Sequence, residues 1–116
     1  MRIKWNFELH KYIQKFTLLM AKDINELIPL LEKPKKIVIT THAKPDGDAM
    51  GSSLALSDIL NQMGHSVNVI VPTDYPDFLF WLPGNGDVIV YPEKKDVSNE
   101  LIEQAELIFC LDFNDL

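Results

Sequence analysis

One stretch limits what this chain can fold into more than any other. The β-branched run Ile37-Val38-Ile39-Thr40-Thr41 breaks into His42-Ala43-Lys44-Pro45-Asp46-Gly47-Asp48, and Gly51-Ser52 then opens a long apolar-periodic segment. A short β-branched run bounded by turn residues reads as a buried strand, and the segment after it reads as a helix laid back on the sheet. In open α/β sheets chemistry sits at the carboxyl ends of strands, where one imidazole and two carboxylates fall here.

The rest of the chain repeats the pattern. Asp23 can cap a helix with Glu26 at its third position, and Ile24, Leu27, Ile28 and Leu31 form an apolar stripe at helical spacing that Pro34 ends. After the acidic turn, residues 51–63 read as a helix with Leu56, Ile59, Leu60 and Met63 on one face, stopped by Gly64. Residues 66–71 form a second strand. Residues 74–82 predict a short aromatic helix with Pro76 in its first turn, and Phe78, Phe80 and Trp81 are expected to fill core. A turn at 83–86, a strand at 88–91, a helix capped by Ser98 and a strand at 107–111 complete the series. Strands alternating with helices at this spacing predict right-handed βαβ units, hence an α/β domain of three layers around a mostly parallel sheet. Residues 1–19, with Trp5, Phe7, Tyr12 and Phe16 among Lys and His, read as an N-terminal extension, and residues 20–116 as the domain proper. The chain stops four residues after Asp112, with nothing to cover that strand end, so a piece of a longer protein is expected.

Charge and cysteine content narrow the partners. A net charge of −6 argues against a dedicated duplex-binding surface, although bound divalent metals can reverse the sign of an acidic cleft. The single Cys110 excludes an internal disulfide and suits a reducing compartment. No apolar stretch approaches the roughly 20 residues of a membrane helix, and Phe16 to Ala21 is too short for a secretory core. A cytoplasmic protein is expected.

His42, Asp46 and Asp48 offer mixed nitrogen and oxygen donors within seven residues, with Gly47 giving the backbone room to bend. That donor set suits Mn²⁺, Fe²⁺, Mg²⁺ or Zn²⁺ better than a thiolate-type structural zinc. Asp112, at the tip of another strand, is the natural fourth ligand if the two strands are parallel neighbours. Converging carboxylates repel one another, and a two-metal cluster relieves this while activating a water for attack on phosphorus. Rival motifs fail on spacing. A calcium loop starting at Asp46 would need an acidic or amide residue where Met50 stands and Glu where Ser57 stands. The dinucleotide fingerprint and the G-K-[ST] phosphate loop are absent. Ser52 and Ser53 lack a base placed to activate them. His10 and His65 sit in contexts that assign them nothing, Lys44 reads as a solvated charge, and Asn114 as a turn former.

These residues carry a resemblance. Thr41-His42, Pro45-Asp46-Gly47-Asp48-Ala49 and Gly51-Ser52 together resemble the first motif of the DHH phosphoesterase superfamily, and Leu111-Asp112-Phe113-Asn114 resembles its second. Phe78-Leu79-Phe80-Trp81-Leu82-Pro83-Gly84 is similar to the spacer of its nano-RNase and pAp-phosphatase branch. The similarity runs from about Asp23 to the end of the chain. It implies a two-manganese site (Mg²⁺ as the alternative metal) in which His42 and Asp46 hold one ion, Asp48 holds the other and Asp112 bridges both. No catalytic side chain beyond these ligands is implied. The implied activity is hydrolysis of short oligoribonucleotides and of 3′-phosphoadenosine 5′-phosphate. Related hydrolases of cyclic dinucleotides, pyrophosphate or polyphosphate are alternatives, as is a non-catalytic module binding metal or nucleotide. Implied partners are short RNA or a nucleotide, with no membrane, and a homodimer is compatible. The Asp-His-His motif that names the family, a later metal-binding Asp and the C-terminal substrate-binding domain are not in the chain; they are expected beyond Leu116, so the chain alone is expected to be inactive.

Overall fold

The structure, a computed structural model, describes residues 24–114. The expected extension at 1–19 and the Asp23 cap lie outside the described residues. A 3-10 turn at Ile24–Glu26 runs into the one-turn helix α1 (Leu27–Leu30). The strand β1 (Lys36–Thr41) and the helix α2 (Gly47–Gln62) follow, then β2 (Ser66–Val71), a two-residue β3 (Ile89–Val90), the helix α3 (Lys95–Gln104) and β4 (Leu107–Leu111).

All four strands are parallel, in the order β3-β2-β1-β4. The chain therefore winds outward from β1 to β3 and then returns to the other side of β1. Right-handed crossovers made in opposite directions put their helices on opposite faces of the sheet. The core shows this as two layers. Ile37, Ile39, Val69, Val71, Leu107 and Phe109 face α2 with Met50, Leu54 and Leu60. Their alternates Val38, Ile70 and Ile108 face α3 with Ile102. Both faces are covered, so the strands are near-continuous apolar runs rather than alternating ones. Each such side chain taken fully out of water contributes about 1.5–3 kcal/mol.

Several local expectations are corrected. The helix α2 begins at Gly47 rather than 51, because Asp46 caps it through a bond from the Ala49 N–H to Oδ1 at 3.0 Å. The Asp-Gly-Asp triplet is thus the helix start and not a loop before it. In α1, Leu27, Leu30 and Leu31 pack on the core while Ile28 is exposed, since a single turn presents one face only. The aromatic helix is only a 3-10 turn at Asp77–Leu79, closed by bonds from Leu79 to Pro76 and from Phe80 to Asp77. Strand β3 stops at Val90 because Pro92, within the 3-10 turn Tyr91–Glu93, has no N–H for a ladder. That turn leads directly into α3, so Ser98 lies one turn inside the helix, fully buried, and caps nothing.

Candidate metal centre

The register of β1 and β4 sets the geometry. Thr41 pairs with Leu111, so the next residues along each strand, His42 and Asp112, emerge side by side at the carboxyl edge. This is where the strand order reverses, the crevice in which doubly wound sheets bind ligands. His42 Nε2 lies 3.3 Å from Asp112 Oδ2 and 3.9 Å from Asp46 Oδ1. One donor atom from each of the three residues falls within 4.8 Å of the other two.

The backbone of both loops is bent to achieve this. Among the described residues, Lys44 (φ 51°) and Asp112 (φ 59°) are the non-glycine residues in the left-handed region. Asp tolerates that conformation, whereas Lys there costs roughly 1–2 kcal/mol, so the surrounding contacts must hold it. The Lys44 N–H donates to Thr73 Oγ1 at 2.6 Å, tying the loop after β1 to the loop after β2.

Protons are placed as well. His42 Nδ1 lies 2.7 Å from the Ala43 carbonyl, which can only accept, so Nδ1 is the ring nitrogen that carries a hydrogen there. That leaves Nε2, the atom facing the two carboxylates, as the nitrogen available to bind a metal ion. A main-chain carbonyl behind the ring, fixing its tautomer and direction, is the usual support of a histidine metal ligand. The Asp46 carboxyl is held below the usual carboxylate range chiefly by the Ala49 N–H, with help from His42 and against a smaller desolvation cost. Donors sharing a divalent ion at 2.0–2.6 Å lie about 3–5 Å apart, and two carboxylates held this close repel without one. On both counts the three residues fit a divalent cation.

Asp48 is placed differently. It lies in the first turn of α2, exposed, and is not part of the three-residue group. Of the four expected ligands the fold thus gathers His42, Asp46 and Asp112 and leaves Asp48 beside them on the helix start. Cys110 supplies no thiolate, because burial pushes its thiol up to about 12. Ser52 gives its hydroxyl to the Asp48 carbonyl at 2.6 Å and Ser53 is fully buried, so neither is a free nucleophile. A separate cleft of about 680 Å³ runs between α2, β2 and the loop at 82–88, and contains none of the donor residues.

Two features at this sheet were not read from the sequence. His65 is buried and accepts the Lys35 N–H on Nδ1 at 3.0 Å, a contact across thirty residues that no local pattern encodes. Phe78, Phe80 and Trp81 are exposed rather than core.

Comparison with known proteins points in one direction. The DHH family, N-terminal domain, is matched over residues 36–116. The bifunctional oligoribonuclease and PAP phosphatase NrnA of Thermus thermophilus is 42% identical over 60 residues, which are 52% of this chain and 17% of that protein. The crystal structure of an exopolyphosphatase-related protein from Bacteroides fragilis superposes with a TM-score of 0.76 at 46% identity. The superposition covers 79% of this chain and 27% of that one, so the chain spans less than a third of either relative. No helix among the described residues is long and apolar enough to cross a membrane.

Proposed function

The chain belongs to the DHH family of phosphoesterases, and from that premise we propose that it serves a manganese-dependent phosphodiesterase and phosphatase acting on short oligoribonucleotides and 3′-phosphoadenosine 5′-phosphate. The observation that carries the reading is the meeting of His42 Nε2, Asp46 and Asp112 at the point where the strand order reverses. The substrate class is supported by the activity for which the Thermus relative is named, whose match is local. His42, Asp46 and Asp112 would hold one divalent ion. Asp48, one helical residue beyond Gly47, is assigned to a second ion by the family resemblance. When bound, such ions neutralise charge on the phosphoryl oxygens and lower the pKa of a water that can attack phosphorus. Mg²⁺ is the alternative metal.

The chain's own residues do the positioning. The Ala43 carbonyl holds the His42 ring with Nε2 forward, and the Ala49 N–H keeps Asp46 ionised at the helix start. The Lys44–Thr73 bond fixes the loop that carries Asp46 against the neighbouring strand end. A cytoplasmic setting suits the free Cys110.

A second reading, hydrolysis of polyphosphate, draws on the description of the Bacteroides neighbour as exopolyphosphatase-related. A substrate panel separates the two. The longest product of the gene containing this chain, given Mn²⁺, should cleave a diribonucleotide and 3′-phosphoadenosine 5′-phosphate and leave polyphosphate intact. Asp112→Ala should abolish that turnover. Near-normal turnover in the variant, or turnover of polyphosphate alone, would refute the assignment.

A further inference from the structure

Just beyond the end of β2 the chain displays three aromatic rings that its core does not use. Phe78 is 70% exposed, Trp81 75% and Phe80 47%, while Leu79 between them is 5% exposed. Three exposed rings within four residues of chain are more than isolated surface apolar residues, and clustered exposed apolar side chains mark sites of contact. The segment is held in place. Phe80 stands edge-on to Tyr75 at 5.5 Å between centroids, Tyr75 is buried, and its hydroxyl donates to Asn85 Oδ1.

Its position bears on the metal centre. A Cβ built on Gly47 would lie 3.9 Å from Leu79 Cδ2, and Gly47 separates Asp46 from Asp48. Phe78 and Phe80 are each one residue, about 3.6 Å of chain, from Leu79, the side chain that such a Cβ would meet.

Charge then selects the occupant. The carboxyl-edge loops at 42–48, 72–88 and 112–114 hold Asp46, Asp48, Asp74, Asp77, Asp87 and Asp112 against Lys44 as their only Lys or Arg. A polyanion lying along this edge would meet carboxylates wherever no metal ion stood. A ligand with one phosphate at the ions and an uncharged flat body beside it would not. A second copy of the chain is disfavoured on the same ground, since a self-complementary contact on this patch would bring two copies of the same acidic edge together.

We propose that Phe78, Phe80 and Trp81 form a stacking platform for the nucleobase of a substrate whose phosphate lies at His42, Asp46 and Asp112. The proposal rests on the phosphoesterase reading and sharpens it, because it makes a base-bearing phosphoester the substrate and excludes polyphosphate.

The test uses the full chain with Trp5→Phe, which leaves Trp81 as its single tryptophan. In Mg²⁺, 3′-phosphoadenosine 5′-phosphate should quench Trp81 fluorescence, and tripolyphosphate should not. Trp81→Ala with Phe78→Ala should weaken binding of the adenosine ligand about tenfold while Trp81→Tyr, which keeps a π-face, stays within about threefold. Tripolyphosphate affinity should be the same in all three. Equal affinity of the double variant and the parent for the adenosine ligand overturns the platform. So does a variant whose only change is a lower association state by sedimentation, which would make the patch an interface between copies. A separate Mn²⁺ titration keeps the two ideas apart. Cation binding without quenching by the nucleotide removes the platform alone, and absence of cation binding removes the platform and the phosphoesterase reading together.

Discussion

The two edges of this one parallel sheet are built on opposite terms. At the amino edge the main-chain polar groups are tied off. The Lys35 N–H donates to His65 Nδ1 at 3.0 Å and the Lys36 N–H to Glu106 Oε2 at 2.8 Å. The Ser66 and Glu106 N–H groups return to the Lys35 and Lys36 carbonyls at 2.9 and 2.8 Å. At the carboxyl edge the chain holds two left-handed non-glycine residues, gathers like charges and exposes aromatic rings. Neither edge differs much in strand content; the difference lies in what the loops are asked to do. A sheet secured at one edge and through two apolar layers can hold unfavourable geometry at the other, which is what a pre-arranged binding site requires.

Removing a donor at the carboxyl edge should therefore damage binding without damaging the fold. Asp112→Asn, which removes the charge and still tolerates the left-handed backbone of that position, is expected to weaken Mn²⁺ binding by about tenfold or more in a calorimetric titration. The melting temperature of the metal-free protein should hold steady or rise, because one charge of a repelling pair is gone and the backbone is not strained further. A large loss of metal-free stability in this variant would break the comparison between the edges. At the amino edge the reverse is expected. His65→Ala removes the acceptor of the Lys35 N–H and empties buried volume, and should cost about 2 kcal/mol in urea unfolding. Its Mn²⁺ affinity, measured under native conditions, should match the parent. An equal loss of metal affinity would mean the two edges are coupled rather than separate.

How far these features could be read from the sequence depends on how local their causes are. The strand runs 37–41, 66–71 and 107–111 were legible because burial on both faces leaves a continuous apolar signature. The approach of His42 and Asp112 was legible for a related reason. Each follows directly on its strand, so parallel pairing alone makes them neighbours. Asp48 depends on the phase of a helix that starts four residues earlier than its apolar pattern suggests, because the cap is made by a residue that also reads as a ligand. The aromatic segment misled by composition. Rings at helical spacing normally mean core, and only the 3-10 geometry, with Leu79 turned inward, exposes the other three. His65 was silent because its partner is a main-chain group brought up by the register of a neighbouring strand.

Asp46 sharpens the comparison most finely, since it is the one side chain that belongs to both programmes. Its Oδ1 accepts the Ala49 N–H that starts α2, and the same oxygen faces His42 Nε2. Asn caps a helix as well as Asp does, so Asp46→Asn should keep the helix start while removing an anionic donor. Metal-free stability near pH 7 should change little, and Mn²⁺ affinity should fall. The acid limb of the stability curve separates the roles further. The folded carboxyl titrates below its ordinary 3.8, mainly through the Ala49 N–H, so its contribution is present above the unfolded value and is lost as pH falls through the lower folded one. In Asp46→Asn that part of the acid dependence should disappear, and urea midpoints followed from pH 5 to pH 2.5 should decline less steeply than in the parent. An unchanged slope would mean that the Ala49 contact does not hold the carboxylate in solution, and Asp46 would then belong to the metal centre alone.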